Sequence, residues 1–71
     1  MDKITLLAKL DNGSGVGESD ESGNRFAIYP TGEDTYTIFV SEMVEGIGRA
    51  DVERFLTKVA GGDTVAHALG E

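Results

Sequence analysis

A chain of 71 residues with no cysteine and a formal net charge of −7 leaves room for one small domain, residues 1–71, that no disulfide can staple. So much negative charge repels a nucleic-acid backbone and favours a basic partner. No apolar run approaches the roughly 18 residues that cross a bilayer, and the N-terminus lacks the basic-then-apolar layout of a secretion signal, so the expectation is a soluble chain in a reducing cytoplasm with no membrane partner.

Residues Ile4 to Leu10 alternate, with Ile4, Leu6, Ala8 and Leu10 on one side and Thr5, Leu7 and Lys9 on the other, which predicts a first, half-buried strand. The segment DNGSGVGESDESGN, residues 11–24, is rich in glycine, serine and acids and reads as an exposed, mobile connection. Arg25 to Tyr29 restores the alternation and buries Phe26 and Ile28; Pro30 removes a backbone donor where that strand should stop. Thr31 to Asp34 makes a turn. Thr35 to Val40 forms a third strand with Tyr36, Ile38 and Val40 on one face and Thr35, Thr37 and Phe39 on the other. Ser41 is a cap for a brief helical turn over Glu42 to Glu45, ended by Gly46 and Gly48.

Arg49 to Ala60 places Val52, Phe55, Leu56 and Val59 at the spacing of one apolar helix face, with Asp51 and Glu53 near the start and Lys58 near the end complementing the dipole. Gly61 and Gly62 stop it, and Asp63 or Thr64 caps a last short helix through Leu69. The predicted fold class is α+β: an antiparallel three-stranded sheet packed on one main helix, with a short C-terminal helix. Leu7 and Phe39 fall on the outer face of that sheet, where apolar side chains offer a contact surface.

The supply of reactive groups is thin. His67, the single histidine, sits among Val65, Ala66, Ala68 and Leu69 with no neighbour placed to orient it as a base. Ser14, Ser19 and Ser22 lie in the glycine-rich connection without a nucleophile-elbow pattern. The run Gly13-Ser14-Gly15-Val16-Gly17 lacks the lysine and the following helix of a phosphate loop, and Glu18, Asp20 and Glu21 oppose an anion there. Asp11 and Asn12 do not begin an EF-hand pattern. The expectation is no enzyme, no cofactor and no metal.

The run RFLTKVAGGDTVAHALGE, Arg54 to Glu71, resembles the opening of a helix-turn-helix domain. It has few of the basic side chains that track phosphates, and a helix pair packing on a sheet accounts for it.

The placement of acids is the remaining signal. Asp11, Glu18, Asp20 and Glu21 on the long connection, Glu33 and Asp34 on the hairpin turn, and Glu42 and Glu45 after the third strand surround the sheet. Those from Glu18 to Glu45, together with Phe39, form the expected partner-binding set, carboxylates steering the encounter and an apolar side chain supplying short-range contact. In size, acidity and strand-and-helix layout the chain is similar to small phage-encoded inhibitors of bacterial defence, including anti-CRISPR proteins. The likeness is one of class, without a shared motif. It implies a cytoplasmic inhibitor in a bacterial host cell that covers a basic nucleic-acid-binding surface of a CRISPR effector, by steric cover or charge mimicry. The alternative is a small bacterial or phage accessory domain that homodimerises, its acidity serving solubility alone.

Overall fold

The computed structural model describes residues 2–70. In chain order they form α1 (Lys3–Asp11), β1 (Val16–Ser19), β2 (Arg25–Gly32), β3 (Thr35–Phe39), β4 (Met43–Gly48), α2 (Arg49–Ala60) and α3 (Val65–Ala68). The strands make an antiparallel meander in the order β1-β2-β3-β4. The fold class is α+β as expected, but the sheet has four strands and the helical layer has three members.

The predicted first strand is a helix. Leu6 and Leu10, both buried, are four residues apart, and a separation of four fits one face of either a strand or a helix. Local chemistry breaks the tie. Asp2 Oδ1 accepts from the backbone N–H groups of Ile4 and Thr5 at 3.1 and 3.3 Å, and the Thr5 hydroxyl donates to Asp2 Oδ2 at 2.7 Å, an N-cap for residues rich in helix formers. With a helical period Leu7 joins Leu6 and Leu10 and packs half-buried against the core, which removes it from the outer sheet face. Ile4 is left exposed.

Both longer helices end the same way. Ser14 N donates to Lys9 O and Gly13 N to Leu10 O after α1; Asp63 N donates to Lys58 O and Gly62 N to Val59 O after α2. Gly13 and Gly62 take φ of 84° and 104°, the left-handed glycine of a Schellman stop.

The segment expected to be a mobile connection, residues 11–24, holds β1 and a tight turn. Val16 pairs with Ile28 and Ser19 with Arg25, and Val16 is buried. β2 runs past Pro30 to Gly32, because β1 ends opposite Ile28 and leaves β2 paired on one side only at the proline. The predicted helical turn over Glu42 to Glu45 is the start of β4. There Ile47 pairs with Tyr36 and Val44 with Ile38, so Glu45 and Gly46 together face Thr37. Gly46, at φ 71°, supplies the left-handed residue of this bulge.

All three helices pack on one face of the sheet. Phe26, Ile28, Tyr36 and Ile38 from the strands meet Leu6, Leu10, Val52, Phe55, Leu56 and Val59 from α1 and α2, closed at one end by Val65 and Ala68 of α3. The α2 face is the one its spacing predicted, and Thr64 is the cap of α3, its hydroxyl accepting from His67 N at 3.3 Å.

Arg49 ties three elements together. It pairs with Asp11 at the end of α1 and donates to the Tyr36 hydroxyl of β3 at 3.2 Å and to Glu53 of α2 at 3.1 Å. Arg49→Met is expected to cost about 1–2 kcal/mol in chemical denaturation, mainly because the Tyr36 hydroxyl, on a buried side chain, loses its donor. The exposed carboxylates contribute little. Parallel loss on Tyr36→Phe, and no further loss in the double variant, would locate the effect there; additive losses would place it elsewhere.

Candidate functional site

The helices leave the opposite face of the sheet uncovered. Cross-strand partners share a face, so the pairs Gly17 with Ala27, Ala27 with Phe39, Tyr29 with Thr37 and Phe39 with Met43 together define it. Tyr29, Phe39 and Met43 are 50%, 45% and 56% exposed there. Gly15 and Gly17 border a furrow of about 560 Å³ beside Tyr29 and Phe39. A Cβ on Gly15 would come within 2.6 Å of the Tyr29 ring, so the absence of a side chain is what lets that ring lie against the backbone. Phe39 is where the alternation put it. Tyr29 was legible too, since burial of Phe26 and Ile28 turns it outward; Met43 was hidden by the misread β4.

The acids divide into two populations. Asp2 caps α1, Asp11 and Glu53 pair with Arg49, Asp51 pairs with Arg54, and Asp63 Oδ2 lies 3.3 Å from His67 Nδ1. Glu18, Glu21, Glu33, Asp34, Glu42 and Glu45 belong to the sheet and its turns, and among the described residues their carboxylates take part in none of the ion pairs or side-chain hydrogen bonds.

Asp20 departs from the expected binding set. It is buried, and its carboxylate accepts from Ser22 N and Asn24 N at 2.9 Å, Asn24 Nδ2 at 3.1 Å and Val65 N at 3.0 Å. Burial pushes this carboxyl up, and the bonds from Asn24, Val65 and Ser22 outweigh it, holding the group below its ordinary value. Asp20 therefore fastens the β1–β2 turn to the start of α3 and has no oxygen to offer a partner.

Four of the six remaining acids lie at the two ends of the sheet. Glu33 and Asp34 form the β2–β3 turn, while Glu21 in the β1–β2 turn and Glu42 in the β3–β4 turn lie at the other end. The length of β2 between them is about 23 Å. That is nearly three times the Debye length of about 8 Å at physiological salt, so the two ends act as separate charges. Glu45 lies in the bulge of the β4 edge. Glu18, opposite Phe26, shares the helix-covered side at the β1 edge.

His67 is exposed beside Asp63, and among the described residues no three His, Cys, Asp or Glu side chains are grouped to hold a metal ion. Among the described residues no helix is long and apolar enough to cross a membrane. Against family models, curated proteins and solved structures the chain has no match.

Proposed function

We propose that this chain is a non-enzymatic binding protein whose helix-free sheet face, carrying Tyr29, Phe39 and Met43 between two acidic ends, covers a basic surface on another macromolecule. The concrete case is a nucleic-acid-binding surface of a CRISPR effector, kept from its target by steric cover and charge mimicry. The observation that carries this reading is the division of the acids: helix carboxylates have partners within the chain, whereas those on the sheet turns, Asp20 apart, have none among the described residues. Two charged ends about 23 Å apart suit a partner with basic patches on either side of an apolar spot. The charges steer and select, and the aromatic centre slows dissociation.

The same face also suits a second reading, self-association, because β1 and β4 are open edges and Tyr29, Phe39 and Met43 are exposed. Capture from a bacterial lysate with mass spectrometry separates the two. A nucleic-acid-binding complex as main prey supports the inhibitor, and recovery of the chain alone supports the dimer.

Substitution tests the surface. Asp34 has φ 63°, a conformation that asparagine accepts and lysine resists, so the charge change is best made as Glu33→Lys with Asp34→Asn. It should weaken binding several-fold, chiefly through the association rate, and lower the salt dependence. Phe39→Ala should instead raise the dissociation rate by about tenfold or more. If neither variant changes the affinity for the captured partner, this face is not the binding surface.

A further inference from the structure

The helix-covered side of the sheet holds a second concavity, which shares only Arg25 and Val40 with the furrow of the opposite face. It is a half-open groove of about 830 Å³ between β4, α2 and α3, in the size range of small-molecule sites. Its floor is apolar: Val40, Val44, Ile47 and Leu69 are half-buried there over the buried Ile38 and Phe55. α2 lies over β3 and β4 without burying these side chains, and α3 is too short to finish the cover.

The walls carry charge of the sign that is scarce elsewhere. The whole chain has 6 lysines and arginines against 13 acids, yet Arg54 and Lys58 line this groove, and Arg25, at the start of β2, borders both it and the furrow of the opposite face. Arg54 is paired with Asp51. Arg25 and Lys58 form none of the ion pairs among the described residues, and Lys58 is half-buried. Among the described residues Glu42 is the one wall acid without a pair. A neutral apolar occupant would take Lys58 further out of water with nothing to balance its charge. A cationic one would be repelled by it. An apolar chain ending in an anion satisfies the floor and the wall together.

We propose that this groove binds a single-chain amphiphilic carboxylate of the fatty-acid type, its alkyl chain on Val40, Val44, Ile47 and Leu69 and its carboxylate at Lys58. The site does not depend on the reading of the opposite sheet face.

Isothermal titration with octanoate, decanoate and dodecanoate, each below its micelle concentration, tests this. The expected result is one site per chain, tightening roughly fourfold per added methylene, with amide NMR shifts confined to β4, the last turns of α2 and α3. Lys58→Gln, which leaves the amide spectrum folded, should weaken dodecanoate about tenfold and tighten dodecanol, which no longer desolvates a charge. Equal affinity of the wild-type chain for dodecanol and dodecanoate, several ligands per chain, shifts centred on Tyr29 and Phe39, or binding to anionic vesicles without binding of the free acid would each overturn the proposal.

Discussion

Phe55→Ala is expected to remove about 3–5 kcal/mol, a large share of the protein's stability. The Phe55 ring is 2% exposed and meets Phe26 of β2 edge to face, with centroids 5.1 Å apart and planes at 84°. It is the contact that locks α2 to the sheet. Removing a buried ring of this size costs about 3–5 kcal/mol, the lost aromatic pair included. A chain of 71 residues has a total stability of about 4–11 kcal/mol at ordinary values per residue, with no disulfide in reserve. Far-UV circular dichroism and urea titration check the result. Phe55→Leu, which keeps most of the volume, should remain folded with a lower midpoint. A loss below about 1 kcal/mol on Phe55→Ala would mean that α2 packs on the sheet through another face.

Asp20→Ala should be the next most damaging change, although it removes no apolar group. The carboxylate satisfies three backbone N–H groups and the Asn24 amide, and Val65 N, in α3, is left inside the structure without an acceptor when it goes. The melting temperature should fall by roughly 10 °C, with α3 amides losing hydrogen-exchange protection before those of α2. The same group predicts the acid response. Its folded-state value lies below the ordinary 3.8, so the stability it contributes is complete above the unfolded value and is lost as pH falls through the folded one. Asp2, bonded by Thr5, and Asp11, bonded by Arg49, are lowered in the same direction and share that limb. Thermal melts from about pH 7 down to pH 2 should therefore show a decline confined to the region below about pH 4, less steep in Asp20→Asn. An identical acid limb in that variant would remove Asp20 from the account.

Several parts of this molecule could be read from local chemistry. α2 and its buried face follow from Val52, Phe55, Leu56 and Val59 at helical spacing, and its stop from Gly61 and Gly62. The β2–β3 hairpin follows from alternation on both sides of a turn whose two central residues are Glu33 and Asp34. For the candidate site, the outward position of Phe39 and the presence of unpaired acids on the turns were legible for the same reason: strand period and turn composition are properties of a few adjacent residues.

Tertiary structure decided the rest. Leu6 and Leu10 satisfy both periods; the Asp2 cap favours the helix, and Leu7, which points away in a strand and inward in a helix, adds to it once the core is assembled. β1 and β4 are glycine-rich and short, too weak in propensity to declare themselves, and they order because β2 and β3 present pairing groups. Asp20 looks like its neighbours Glu18 and Glu21 in the sequence, yet a bond to Val65, 45 residues on, turns it from a surface charge into a fastening. The groove between β4, α2 and α3 has no sequence signature at all, since Arg25, Val44 and Lys58 become neighbours only when the sheet and the helical layer meet. Local sequence set the periods and the charges; chain reversal and burial chose which charges face a partner and which hold the fold.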